Sequence, residues 1–384
     1  GYIMAKKMRT KAMKRRRRRR ILFFFEVLIL LILVGGIFVY AQINKKLDLM
    51  QESDVDMSQV GVNEGVEDVK GYQTIALVGL DNTSDTLDYG NSDTMIIASI
   101  NNDTKKVKLV SLYRDTYLNV GTDPKGNEDT YTKANAAYAY GGAQQLMTMM
   151  NKNLDLSLDG YVTVDFAAVA ETIDLLGGLD IEMTADEVEH MNNYCVETSE
   201  APGKSYEEIY PEYAVHHLNG VQAVSYARIR YTAGNDFRRA ARQRLVIYKM
   251  VEKAKNSSWT TLNKIVDTVC PMVATSLSKA DILKMGMNMI TYDIEDQSGF
   301  PTKHLEGETI NDAVGTDAVL PVTLEQNVIA LHQFLYPEET DYVPSATVQE
   351  YSDHIIEESG YGEEDIPKQS EDGALPLENF QAAN

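Results

Sequence analysis

The chain has 384 residues, 44% hydrophobic and 24% charged, ordinary proportions for a folded protein with a sizeable core, which excludes wholesale disorder. Two cysteines, Cys195 and Cys270, exclude a disulfide-rich scaffold and a cysteine-only zinc site. The formal charge of −21 is unevenly divided: residues 1–20 hold eleven of the 36 basic residues and no acid, so the other 364 carry 25 basic and 57 acidic residues, a net −32.

Residues 21–41 read ILFFFEVLILLILVGGIFVYA, with Glu26 as the one charge. As a helix this stretch is about 31 Å long, enough to cross a hydrocarbon core. The pattern predicts one transmembrane helix. The basic run precedes it, so the positive-inside rule leaves 1–20 as a cytoplasmic tail and sends 42–384 outward from the cell membrane. Val39-Tyr40-Ala41 also resembles a signal-peptide cleavage site, but the apolar stretch exceeds the ~7–15 residues usual there. The arginine run is read as a topology signal attracted to anionic headgroups. Nucleic acid is not an expected partner of the exported part, given its charge.

Residues 42–70 are polar and read as a linker. Apolar runs at 74–80, 94–100 and 107–112 predict strands, the last two joined by the turn-forming Asn101-Asn102-Asp103-Thr104. A helix is expected over 134–151, a strand over 161–164, a helix over 166–176 and a strand over 179–183. Helical patterns follow at 219–228, 237–256, 259–269, 279–291 and 324–335. This alternation predicts an α/β fold, an α-β-α sandwich with a mixed central sheet over 71–336. From residue 337 to 384 the chain is acidic, broken by Pro and Gly, and read as a disordered tail.

No phosphate-cradling glycine loop, HExxH or GxSxG motif occurs, and the six histidines lack metal-ligand spacing. His216 and His217 are adjacent and would point apart, as a solvated pair. The feature that stands out is arginine in an acidic background: Arg114 after a strand, Arg228 and Arg230, then Arg238, Arg239, Arg242 and Arg244. Arg239 and Arg242 stand at i,i+3 and are expected to share a helix face. That helix starts near Asp236, so its dipole adds positive potential. Guanidinium forks suit bidentate phosphate contacts, although a salt-bridged surface would use the same residues. Asp81, Asp93, Asp115 and Asp236 lie at element ends, where α/β sites assemble. Each could also simply cap a helix or form a turn. Carboxylates beside arginines suggest Mg²⁺ shared with a diphosphate.

The residues also carry a resemblance. Leu77-Val78-Gly79-Leu80-Asp81, Ser92-Asp93-Thr94-Met95, Val110 to Thr116 (VSLYRDT), Lys133 to Tyr138 (KANAAY) with Gly141-Gly142, and Leu175 to Asp180 (LLGGLD) follow one another in order. His217 to Ala223 (HLNGVQA), Tyr226 to Tyr231 (YARIRY) and Asp236 to Gln243 (DFRRAARQ) complete the set, spanning about 74–250. In this order, behind one anchor, they resemble the LytR-CpsA-Psr family of membrane-anchored cell-envelope enzymes. The resemblance implies a transferase that moves a glycopolymer from a polyprenyl diphosphate carrier onto peptidoglycan, forming a phosphodiester, typically at a muramic acid 6-hydroxyl.

Carried over by position, Arg114, Arg228, Arg230, Arg239 and Gln243 would bind the diphosphate, with Arg242 an additional contact. Asp81 and Asp93 would be metal-associated. Asp236 would activate the acceptor hydroxyl or organise the arginines, beside Arg114 and Asp115. Arg238 stands where many members have glycine. The lipid would need an apolar slot, for which Ala136, Ala137, Ala139, Leu146 and Met147 with Phe166, Val169, Ile173 and Leu176 are candidates. A phosphatase releasing the lipid phosphate to water would need the same arginines and metal; a non-catalytic envelope-binding or regulatory module would not need them together. Wall teichoic acid, capsule and other secondary polysaccharides are all compatible as the polymer. Whether Cys195 and Cys270 pair is left open.

Overall fold

The computed structural model describes residues 41–42, 44–45, 47–48, 53, 55–81, 87, 90, 92–200, 203–230 and 235–366. The basic run and all but the last residue of the expected membrane helix lie outside the described residues. Among those described, no helix is long and apolar enough to cross a membrane. The chain divides into two units, 1–49 and 50–384, and the second holds the sheet and the site.

In chain order the second unit places β1 (Tyr72–Leu80), β2 (Ser92–Asn101), β3 (Lys106–Leu112), β4 (Tyr117–Gly121), β5 (Thr130–Lys133), α1 (Ala136–Leu154), β6 (Gly160–Asp165) and α2 (Phe166–Leu175). Then come β7 (Leu179–Met183), α3 (Ala185–Thr198), β8 (Ala214–Leu218), α4 (Gly220–Arg228), α5 (Asn235–Lys255), α6 (Trp259–Val269), β9 (Ala274–Thr275) and α7 (Lys279–Asn288). The last are β10 (Asp293–Phe300), β11 (His304–Leu305), α8 (Glu308–Val314), β12 (Leu320–Pro321), α9 (Leu324–Leu335) and α10 (Ala346–Ser359).

Among the described residues a six-stranded sheet runs β10-β3-β2-β1-β6-β9. β1–β2, β2–β3 and β6–β9 pair antiparallel; β1–β6 and β3–β10 pair parallel, so the sheet is mixed as expected. The turn at 101–104 forms as its sequence dictates, the Asn101 Oδ1 accepting from the Asp103 and Thr104 amides. Side chains alternate across a strand, so chain neighbours enter opposite cores. Ala76 and Ile97 pack with α1, α9 and α10 on one face, while Ile75 and Ile96 pack with α3, α4 and α5 on the other. Both faces are therefore helix-covered. Each fully buried Ile or Leu contributes about 1.5–3 kcal/mol.

Two expected boundaries change. The supposed linker is packed from residue 55: Val60 is buried, and the Asn63 Nδ2 donates to Asp155 Oδ1 at 2.7 Å. The supposed tail carries α10, with Ser345 as N-cap and Val348 and Ile355 buried. Asp155, at the left-handed C-cap of α1, accepts from Tyr342 Oη (2.7 Å), the Ser345 amide (2.8 Å) and Ser345 Oγ (2.6 Å). One buried carboxylate thus ties both flanks to the domain. The reading of disorder followed acidic composition; the spacing Val348–Ser352–Ile355 is helical and outweighs it. Residues 367–384 lie outside the described residues.

Candidate active site

Strand order brings the sequence candidates to one edge. β1 ends at Leu80, next to the start of β2, and β6 lies parallel to β1 and ends level with it. Asp81, Asp93 and Asp165 therefore stand together at this edge, joined by Arg114 and Asp115 just past the end of β3. Asp165 caps α2 by accepting from the Ala168 amide, which starts Phe166 beside the edge. The first turns of α5 supply Asp236, Arg239 and Gln243. That helix is pinned by Phe237, packed edge-on against Tyr113 and stacked on His304. Deeper down, the fully buried Arg244 donates to Gln297 Oε1 and Ser111 Oγ, both at 2.6 Å, joining α5 to β10 and β3.

Arg114 donates to Asp93 and lies 3.4 Å from Asp115, which Lys133 approaches to 3.7 Å. Asp236 sits between Arg230 (3.0 Å) and Arg239 (3.4 Å). Arg228 lies 3.6 Å from both Asp81 and Glu197, donates to Thr198 Oγ1 at 2.9 Å, and is stacked over the rings of Phe166 and Tyr194. Asp93, Arg114, Asp236, Arg239 and Gln243 line one small recess. Within it the Nε atoms of Arg114 and Arg239 are buried without a hydrogen bond of good geometry. Burial pushes the Arg239 guanidinium below its ordinary range; Asp236 opposes this, and the Arg230 charge adds to it. Burial likewise raises the Asp115 carboxyl, helped by the Asp236 charge and opposed by Lys133 and Arg114. The Asp81 carboxyl is also raised, by burial first; Arg228 opposes, and Asp93 reinforces.

Beside this recess, with Gln243 on the lining of both, lies a cleft of about 250 Å³ between the sheet and α2, α4 and α5. Its walls are apolar: Leu77, Ile96 and Val162 from strands, Val169, Val246 and Met250 from helices, with Arg228 also on its lining. Of the residues expected to form an apolar slot, Phe166 and Val169 line it. Ala137, Leu146 and Met147 belong to the core on the other face, where α1 packs, and Ile173 is core beside the cleft.

Arg242 does not join the cluster. It is buried, pairs with Glu187 at 3.0 Å and donates to the Ile229 carbonyl at 3.1 Å. Three residues along a helix turn the chain by about 300°, enough to aim Arg239 at the strand ends and Arg242 at α3. Arg238 is exposed and lines a separate cavity with Arg242 and Lys249. His216 and His217 do point apart on β8, one buried and one exposed. Cys195 and Cys270 are both buried and not disulfide-bonded. Sequence reasoning missed Tyr194, Glu197 and Thr198 around Arg228, because α3 was not expected. The capping box Thr184-x-x-Glu187 that opens it was the available signal.

A family model described as LytR_cpsA_psr family matches residues 37–319. The chain is 30% identical over 258 residues, 66% of its length and 76% of the relative's, to the polyisoprenyl-teichoic acid–peptidoglycan teichoic acid transferase TagU of Enterococcus faecalis. It is 28% identical over 260 residues to the corresponding transferase TagV of Bacillus subtilis, covering 67% of this chain and 60% of that one. The crystal structure of B. subtilis TagV superposes with a TM-score of 0.53 at 25% identity, over 72% of this chain and 100% of that one. With arginines and carboxylates gathered at the strand ends and the family match running through them, the chain belongs to the LytR-CpsA-Psr family.

Proposed function

We propose that this protein transfers a glycopolymer of the teichoic acid class from a polyprenyl diphosphate carrier onto peptidoglycan. The observation that carries this is an apolar cleft set beside a recess lined by Arg114 and Arg239, with Gln243 on the lining of both. A prenyl chain fits an apolar channel, and a diphosphate fits guanidinium donors at its mouth. The activities printed for the Enterococcus and Bacillus relatives support the same substrate pair.

Arg114, Arg239 and Gln243 would hold the diphosphate, with Arg228 at the lipid side and Arg230 at the opening. Stabilising developing charge this way removes about 2.7–4 kcal/mol of barrier per well-placed donor. Asp236, placed between two guanidiniums, suits an organising role. Asp115, raised by burial, suits taking the proton of the acceptor hydroxyl as its oxygen attacks the phosphorus distal to the lipid. One phosphodiester forms, the phosphoanhydride breaks, and polyprenyl phosphate leaves with the bond's electrons. Asp81 and Asp93 stand close enough to raise one carboxyl, a pair of hard oxygens that fits Mg²⁺ shared with phosphate oxygens. When bound, that ion would offset phosphate charge. The segment 21–41 would anchor the chain in the membrane, with the domain outside.

The test supplies the full chain in detergent, with Mg²⁺, a short-glycan polyprenyl diphosphate and peptidoglycan oligomers, and follows products by mass spectrometry. Glycan–phosphate–peptidoglycan adducts are expected, lost in Arg114→Ala. Release of lipid phosphate without adduct would instead establish a phosphatase.

A further inference from the structure

On the other face of the sheet, away from the lipid cleft, lies a larger cavity of about 560 Å³ that the proposed chemistry does not use. Its lining comes from α1, the β4–β5 hairpin and α10, and includes Asn119, Gln144, Gln145, Thr148, Lys152 and Tyr351. In a region, 42–384, of net −31, half of this lining is amide or hydroxyl, with Glu128, Asp129 and Lys152 as its charged members. Amides and hydroxyls both donate and accept, and a few carboxylates add paired acceptors; with a tyrosine ring alongside, that set matches the hydroxyls and acetamides of a sugar better than a lipid or a nucleotide.

The wall is constructed with care for Gln145. Its Nε2 donates to the Val120 and Thr122 carbonyls at 2.8 and 2.9 Å, which fixes the amide and leaves Oε1 to accept. A Cβ at Gly141 would fall 2.2 Å from that Oε1, and one at Gly121 (φ +90°) 3.4 Å from Nε2. At Gly141 the close approach of Gln145 requires glycine, whereas at Gly121 it is the positive φ that favours it. At Gly141 and Gly142 the helix is also broken by non-helical torsions, so α1 bends where the cavity begins. The hairpin starts next to Asp115, and Asn135, at the head of α1, donates to the Arg114 carbonyl. Residues 141–152 therefore lie about 10–25 Å along α1 from the reacting groups.

We infer that this cavity is a saccharide subsite that binds a glycan segment several sugars away from the bond being formed. The inference rests on the transferase reading for its biological setting, and binding there is separable from turnover. The glycan could belong to the acceptor strand or to the donor polymer. Remote contacts of this kind position the reacting end of a long substrate.

Isothermal titration of the full chain in detergent would use chitohexaose for the acetylated hexosamine chemistry of the acceptor, and soluble dextran, a neutral glycan polymer, for the donor. One probe is expected to bind. Gln144→Ala and Glu128→Ala, both on the cavity rim and outside the reacting site, should each weaken it about three- to tenfold, while Arg114→Ala leaves it within about twofold. A chitohexaose response assigns the subsite to the acceptor; a polymer response assigns it to the donor. Binding of neither probe, or binding undiminished in the Gln144→Ala, Glu128→Ala double variant, overturns the inference. Failed transfer by wild type with this binding intact would refute the transferase reading and leave the subsite standing.

Discussion

The two faces of the sheet receive side chains from the same strands and treat them differently. On the α1 face, Ala76, Ile97 and Leu146 close into a continuous core, and the buried Asp155 ties down both flanks. On the α5 face, Leu77, Ile96 and Val162 reach an opening that packing leaves unfilled. Filling it would add burial, roughly 25 cal/mol per Å², yet the walls stay apart and lead to buried guanidiniums. Core stability is concentrated on the α1 face and the proposed handling of the lipid diphosphate on the other, so substitutions in the α1-face core and at the α5-face site should separate folding from turnover.

The largest expected effect is on turnover. Arg114→Ala should lower transfer about 10²–10³-fold, as loss of one preorganised donor does, with little change in melting midpoint. Steady-state rates beside a thermal scan check this; a midpoint that collapses with activity would erase the division. Next comes Asp155→Ala. It leaves four donors without their acceptor and puts alanine at φ 50°, so about 3 kcal/mol of stability should go while activity per folded molecule stays. Urea titration measures it.

Arg242→Ala sharpens the comparison within one helix. It strands Glu187 at the α3–α5 contact and should cost about 2 kcal/mol without lowering transfer, whereas Arg239→Ala should do the reverse. Equal losses of transfer in both variants would return Arg242 to the diphosphate site. The smallest effect is a pH dependence on the α1 face. Burial holds the His332 imidazole below its ordinary 6.5, against the Leu154 carbonyl that accepts from its Nε2 at 2.8 Å. Folded His332 resists a proton that the unfolded chain accepts, so stability is present above about pH 6.5 and declines as pH falls below it. His332→Gln should flatten that slope in melting scans between pH 7.5 and 5.5.

Much of this division was legible in the residues. Short apolar runs gave β1, β2, β3 and β6, and positions at the ends of strands singled out Asp81, Asp93 and Arg114. β10 was missed because Asp293-Ile-Glu-Asp-Gln-Ser-Gly-Phe buries Ile294, Gln297 and Phe300 amid acids, so no hydrophobic pattern announces it. The β4–β5 hairpin and α10 were hidden by polar composition in the same way. Helix phase misled at Arg242: i,i+3 spacing says two residues are near neighbours, but α5 is wedged between the sheet edge and α3, and each takes a different partner. Which apolar residues line the cleft could not be read from spacing, since those lining it and those in the core share one periodicity.

The most direct test of the central account is to locate the lipid. The full chain would be photolabelled with a prenyl diphosphate carrying a benzophenone on its tail, with and without excess unlabelled diphosphate, and cross-linked peptides mapped by mass spectrometry. Labelling of 162–169 and 246–250, competed by the unlabelled compound and abolished in the Arg114→Ala, Arg239→Ala double variant, is the expected result. Labelling confined to α1 or α9, or unaffected by loss of the two arginines, would contradict it.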